Sequence, residues 1–209
     1  MFPKKAPEPA GKPDLWDEPQ GNSPIAVFVR SIHPVRQEVV DYINAHSFPL
    51  RIQKGRYLVK AGAVARHLFL VRRGLVRAFI REGSREITTW INDEQEIVTS
   101  IRSLALHEPS PEYIQALEDC ELAAVEYTVL EHLYDHFAEM NIVGRKVLEQ
   151  YYRDAEERAF ICRIPNARRR YQRFLEHNPN LANRVPVKYI ASYLGIAVET
   201  LSRIRGKKQ

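Results

Sequence analysis

The chain has 209 residues, 44% apolar and 27% charged, with a net charge of +5 and only two cysteines, Cys120 and Cys162. No run of about 18 uninterrupted apolar residues occurs and the Lys/Pro-rich start lacks the apolar core of a leader, which argues against a membrane span or export and for a cytoplasmic location. The distant cysteines, without a CxxC pair, argue against a disulfide scaffold, a zinc ribbon or a cysteine-ligated iron-sulfur cluster; no cofactor and no metal are expected.

Residues 1–24 hold six of the thirteen prolines (3, 7, 9, 13, 19 and 24), Gly11 and Gly21. Such a composition buries too little apolar area to offset its ordering entropy, so a flexible tail is expected, with Leu15 and Trp16 as its only large apolar anchors. From Pro34 to about His46 the apolar residues Val35, Val39, Val40 and Ile43 recur at helical spacing.

Between Phe48 and about Glu126 the pattern turns to short β runs: Leu50–Ile52, Tyr57–Val59, Leu68–Val71, Leu75–Ile80, Ile87–Ile91, Tyr113–Leu117 and Leu122–Val125. Gly55, Gly62, Gly74 and the Glu82-Gly83-Ser84 turn punctuate them. Many short strands with turn signals predict an antiparallel sandwich, roll or barrel. Thr128 reads as the N-cap of a helix through Leu130, Leu133, Tyr134 and Phe137.

A longer helix is predicted from about Glu139 to Ile161, free of proline and striped by Met140, Val143, Val147, Tyr151 and Ala155. The stripe suits a second copy of the helix or the chain's own β domain, and the pattern favours neither. Pro165-Asn166 ends this helix and begins another through Tyr171, Phe174 and Leu175.

Charge is unevenly shared. Residues 163–209 carry eleven Lys/Arg against Glu176 and Glu199, a balance of +9, which leaves −4 for the remainder. A basic segment of that density suits a polyanion. Within it, Val187 to Ile204 matches two short helices joined by a tight turn: Val187, Ile190, Ala191 and Leu194, then Gly195 at the turn, then Leu201 and Ile204 facing inward. Ala191 lets the helices approach, and Gly195 takes a backbone conformation that costs residues with a Cβ. With Leu201 and Ile204 buried, helical spacing turns Glu199, Ser202 and Arg203 outward. Arg203 can pair with guanine O6/N7 and Glu199 can accept from cytosine N4; a Glu-to-Arg surface ion pair is the simpler alternative. Lys188, Tyr189 and Thr200 are candidate phosphate contacts.

Together, residues from about Ile25 to Lys208 resemble the Crp/Fnr family of bacterial transcription regulators. The likeness is closest from Arg184 to Arg205 (RVPVKYIASYLGIAVETLSRIR), similar to the family's short-tailed branch. The resemblance implies an α+β chain: a tail over 1–24, an antiparallel, jelly-roll-like, cyclic nucleotide-binding-like β-roll over 25–138, a connecting and dimerisation helix over 139–162, and a small all-α helix-turn-helix domain over 163–209. It implies a homodimer whose recognition helices enter successive major grooves of double-stranded DNA about 34 Å apart.

Departures from the family pattern shape the remaining expectations. Cyclic-nucleotide-binding members carry a Phe-Gly-Glu-Leu cassette and a downstream Arg before Ala-Thr/Ser; here the cassette region reads Ile97 to Leu104 and the arginine position falls near Ser110. With both charged anchors missing, cyclic AMP or GMP binding is expected to be weak or absent, and any small-molecule effector is of another kind. Thr99, Ser100 and Arg102 are candidates for a different anion, against the simpler reading of Arg102 as a solvent-facing side chain. The recognition helix begins at Ala197-Val198 without the usual Ser/Thr cap, and Arg205, Lys207 and Lys208 stand where a β-wing would otherwise add phosphate contacts.

No Walker loop, GxGxxG, HExxH or GxSxG occurs, and no enzyme is expected. His132 and His136 lie i,i+4 beside Asp135, but two ligands without a third read as surface histidines. The competing class is a sensory module that regulates a partner protein and keeps a vestigial DNA-binding end.

Overall fold

The computed structural model describes residues 21–206. Most of the expected tail, with Lys207 and Lys208, therefore lies outside the described residues. The first α-helix among the described residues, α1 (Pro24–Ile32), is absent from the sequence reading. Ser23 accepts a hydrogen bond from the Ile25 N–H and Pro24 occupies the first turn, where its missing N–H costs nothing. Ile25, Ala26 and Val29 are buried, and Ser23 is tied to α2 (Gln37–His46) through Asn44 and to Ser47. The apolar positions Val39, Val40 and Ile43 predicted for α2 all face the core.

Eight strands follow: β1 (Ser47–Ile52), β2 (Tyr57–Val59), β3 (His67–Arg73), β4 (Val76–Glu82), β5 (Arg85–Asn92), β6 (Ile97–Val98), β7 (Tyr113–Ala116) and β8 (Cys120–Glu126). They form two four-stranded sheets, β1-β8-β3-β6 and β2-β7-β4-β5, in which every pairing is antiparallel. This is the predicted β-roll. Seven strands coincide with predicted runs; β6, two residues long, was read as part of the cassette region. Between the sheets Phe69, Val71, Val76, Ala78, Ile114, Leu122 and Ala124 pack a core.

A short helix, α3 (Ile101–Leu106), leads from β6 toward β7, and α4 (Tyr127–His136) follows β8. Thr128 is not the N-cap of α4. It lies inside the first turn, with Glu126 at the cap position, and its hydroxyl donates to the Glu126 carboxylate at 3.4 Å. The strand β8 runs straight into the helix, so the cap position falls on the last strand residue.

The long helix α5 (Ala138–Arg163) sends Met140, Val143 and Val147 into a core shared with α1, α2, α4 and the outer side of the first sheet. The predicted stripe therefore packs on the chain's own domain over its first turns, while Ala155 at its end is exposed. Gly144 is required here, because a Cβ would stand 2.9 Å from the Tyr134 ring. On the outward side, Leu148, Tyr152 and Phe160 are 60%, 71% and 51% exposed.

Four helices follow among the described residues: α6 (Ala167–His177), α7 (Leu181–Arg184), α8 (Val187–Leu194) and α9 (Val198–Gly206). Their core contains Ile161, Tyr171, Phe174, Leu181, Val185, Ile190, Ala191, Leu194 and Leu201, and it also takes in Leu75, Ile91 and Leu117 from the roll. The apolar core thus crosses from the β-roll into the terminal helices.

Candidate nucleic-acid interface and effector cleft

The α8–α9 pair has the predicted helix-turn-helix form. Gly195 ends α8 in the left-handed region (φ 62°), and the Ile196 N–H returns to the Ala191 carbonyl at 3.0 Å, closing the last turn. Ile190, Ala191, Leu194 and Leu201 are fully buried, with Ile204 half-buried. The Arg170 guanidinium donates to the carbonyls of Leu194 and Gly195 at 2.9 and 3.2 Å, so α6 braces the turn.

With that side of α9 inward, Glu199, Ser202 and Arg203 are exposed in one row and Thr200 is half-buried. Arg203 and Glu199 form no ion pair; among the described residues the guanidinium reaches only the Thr200 hydroxyl, at 3.5 Å. Both charged groups are therefore unengaged on the surface. Lys188 is exposed at the start of α8, its ammonium 4.8 Å from the centre of the Tyr189 ring.

Tyr189 departs from expectation. Its ring packs over the Arg77 guanidinium of β4 at 3.7 Å, so that face belongs to the β-roll and not to a phosphate. Arg77 is 1% exposed, bonded to Glu86, Gln115 and Thr88, with the Phe79 ring at 4.1 Å on another side. One turn later, the Ser192 hydroxyl accepts from the Thr88 N–H at 2.9 Å and donates to the Glu86 carbonyl at 3.1 Å. Arg184 binds Glu94 and Glu118 with paired hydrogen bonds of 2.7 to 3.2 Å. These hydrogen bonds pull the Glu94 carboxyl down to about 2 against the opposing effect of burial. Arg184, Tyr189 and Ser192 thus fasten the terminal helices to β4, β5 and the loop after β5. Their partners lie between 66 and 112 residues away, and nothing in the local sequence signals them.

A cleft of ≈ 1160 Å³ separates the roll from α5. Its walls are mainly apolar and aromatic: Trp90, Ile97, Leu104 and Tyr127 on one side, Val147, Leu148, Tyr151 and Tyr152 on the other. The Tyr151 hydroxyl donates to the Ile97 carbonyl and pins the helix to β6. Of the anion candidates, only Thr99 lines the cleft, and its hydroxyl donates to the His67 carbonyl at 2.9 Å. Ser100 is buried, accepting from the Ser110 hydroxyl at 2.9 Å. Arg102 turns to Glu108 at 3.3 Å on the exposed surface. The three do not converge on a single anion, and α3, with six residues, supplies no helix-end site.

Behind Trp90 of the cleft wall lies an acid that the sequence reading passed over, Glu112. Burial pushes the Glu112 carboxyl above its usual range, while hydrogen bonds from Ser100, Trp90 and Thr89 oppose the shift. Its position two residues after Ser110 was the available signal. Glu96, held beside Asp93 and Asp154 with Arg158 nearby, is pushed by burial up to about 7.

His132 and His136 stack on each other at 4.1 Å, and Tyr42 stacks on His132 at 4.5 Å. Among the described residues no group of three or more His, Cys, Asp or Glu side chains is placed to hold a metal. Among those residues too, no helix is long and apolar enough to cross a membrane. Cys120 is buried and Cys162 exposed.

Residues 49–137 match the cyclic nucleotide-binding domain family. Over 174 residues, 76% of this chain, the sequence is 27% identical to the fumarate and nitrate reduction regulatory protein of Vibrio cholerae, covering 67% of that protein. It is 24% identical to the anaerobic regulatory protein of Haemophilus influenzae, covering 76% of this chain and 65% of the relative. The chain thus spans about two thirds of these relatives. The fold is similar to that of FixK2 from Bradyrhizobium japonicum, with a TM-score of 0.68 at 18% identity over 77% of this chain and 83% of that one. It is also similar to the c-di-GMP-responsive global regulator CLP of Xanthomonas campestris, with a TM-score of 0.65 at 19% identity over 82% and 91%.

Proposed function

We propose that the chain, similar to regulators of the Crp/Fnr family, is itself such a regulator and acts as a homodimer that binds duplex DNA sequence-specifically through α9. In this reading the β-roll, over 25–138, senses an effector, α5 links it to its partner subunit, and residues from 163 onward bind DNA. The observation that carries it is the row Glu199, Ser202 and Arg203. These side chains are exposed, free of one another, and mounted on a helix braced by Leu201, Gly195 and Arg170, within a segment of charge +9.

Arg203 is suited to a guanine edge and Glu199 to a cytosine amino group, each worth about 1–3 kcal/mol of discrimination, while Lys188 and Thr200 suit phosphates. Dimerisation is supported by α5, where Leu148 and Tyr152 stand exposed at the cleft and Phe160 stands exposed farther along the helix. A second α5 covering these residues would set the separation of two α9 helices. An effector or partner that favours one α5 pairing over another would then shift DNA affinity by population, with no chemical step.

Cyclic AMP and GMP are poor candidates for that effector. Glu112 stands with Ser100, which Ser110 contacts, where the family's phosphate-holding arginine would fall, and Arg102 is turned away to Glu108. The effector is better sought among molecules that suit an apolar, aromatic cleft.

The test is fluorescence anisotropy on labelled duplexes across a salt series. A regulator shows a steep loss of affinity with salt, made shallower by Lys188→Ala and by Arg203→Ala, and only the latter changes sequence preference. A shallow slope without sequence preference would instead identify a protein-regulating module.

A further inference from the structure

Between the first turn of α6 and the outward side of α9 lies a hollow of ≈ 370 Å³ lined by Asn166, Ala167, Arg168, Thr200, Arg203 and Ile204. Its wall holds two guanidiniums, a hydroxyl and an amide, and no carboxylate. The amide oxygen of Asn166 is engaged by the Arg169 N–H at 3.1 Å.

Several arginines elsewhere are engaged by carboxylates. Arg77 is paired with Glu86, Arg145 with Glu149, Arg173 with Glu157 and Arg184 with Glu94 and Glu118. Among the described residues Arg168 has no hydrogen-bond or ion-pair partner, and Arg203 has only the long contact to Thr200. Two like charges face one hollow with no counter-charge, and an anion seated there would be attracted to both.

We propose that this hollow seats a phosphate of the DNA strand that adjoins the base-reading row, with Arg168 of α6 supplying a contact from outside the helix-turn-helix. The inference rests on the reading of α9 as the DNA-binding helix and extends its footprint to a second element. Continuity identifies the occupant: Thr200 and Arg203 belong both to the hollow and to α9, so a phosphate here lies on the duplex that α9 reads. With duplex bound, the Arg203 fork is directed to a base edge, leaving Arg168 and the Thr200 hydroxyl to hold the phosphate. Arg168 then fixes where the helix sits and carries no sequence information.

The experiment uses the full chain and two labelled duplexes of equal length, one enriched from a random pool and one scrambled, titrated between about 50 and 300 mM salt. Arg168→Gln is expected to weaken binding to both duplexes by the same factor, about 3- to 10-fold, and to reduce the slope of log K against log salt by about 0.9. Arg168→Lys is expected to restore most of the slope, since a point charge suffices for a phosphate. Arg203→Gln should instead bring the two affinities together. An unchanged slope in Arg168→Gln, with Arg203→Gln still impaired, would overturn the α6 contact and leave the reading of α9 standing. Failure of the unsubstituted chain to bind either duplex would overturn both. Inorganic phosphate at matched ionic strength should not displace DNA; displacement would assign the hollow to a free anion and contradict the proposal. Arg168 is exposed, so unchanged thermal unfolding of the variants separates these effects from loss of fold.

Discussion

The Arg77 guanidinium on β4 and the Tyr189 ring on α8 are in face contact at 3.7 Å, across the junction between the roll and the helix-turn-helix. Arg77 is almost wholly buried, so its charge depends on Glu86, Gln115 and the flanking rings of Phe79 and Tyr189. Arg77→Met is expected to cost about 2–4 kcal/mol of unfolding free energy, because it strips Glu86 and Gln115 of a shared donor. Tyr189→Leu should cost about 1–2 kcal/mol, and the double variant should reveal a coupling of about 1 kcal/mol. Additive losses in denaturant unfolding would show that the contact contributes nothing.

Arg184 provides a second fastening with a defined pH dependence. Glu94, normally near 4.5, is held at about 2 by Arg184. A carboxyl depressed in the fold contributes its full stabilisation above about 4.5 and loses it as pH falls toward 2. Thermal unfolding between those limits should therefore steepen in the unsubstituted chain and flatten in Glu94→Gln. Equal acid limbs for the two would contradict the pairing.

Glu96 has the opposite sign. Burial raises it to about 7, so the fold prefers the protonated form and loses stability as pH rises from about 4.5 to 7. Glu96→Gln keeps an acceptor for the Asp93 N–H, which lies 3.1 Å from Glu96 Oε2, and removes the charge. The variant should gain about 1–2 kcal/mol at pH 8, after allowance for partial solvation, and almost nothing at pH 4. The check is the difference in unfolding free energy at the two pH values, and a gain independent of pH would refute the assignment.

Gly74 joins β3 to β4 at φ +106°, where a Cβ would stand 2.6 Å from Cys120 Sγ and 2.9 Å from the Asp119 carbonyl. Gly74→Ala is expected to destabilise by about 2–4 kcal/mol, combining backbone strain with a clash against main chain. Gly83→Ala has open space around it and should cost only the strain of its positive φ, about 1 kcal/mol. Comparable losses for the two would show that the Cys120 contact relaxes freely.

How much of this was legible depended on the range of the interactions. Ala191, Gly195 and Leu201 form a local pattern whose geometry follows from spacing alone, and the structure places them as that pattern requires. The strands were equally readable, because turns separate runs of apolar residues. Helix α1 was missed although Ser23-Pro24 supplied a cap and Ile25, Ala26, Val29 and Ile32 a helical stripe; the proline count of the preceding segment masked both. The fate of the α5 stripe was undecidable from its period, since the roll and a second helix ask for the same residues. What lay wholly outside sequence reasoning was the docking of α8 on β5. Ser192 meets Thr88 and Glu86 across more than a hundred residues, and that contact, with Arg77 beneath Tyr189, is why one expected phosphate contact faces the roll.

Selection of bound sequences from a random duplex pool by the full chain, repeated with Arg203→Ala, decides whether α9 reads DNA. A dimer reading through α9 enriches a two-fold symmetric site with half-sites about one helical turn apart, at least one guanine or cytosine in each half-site losing its enrichment in the variant. Recovery of no common sequence, or of the same sequence from both proteins, would contradict it.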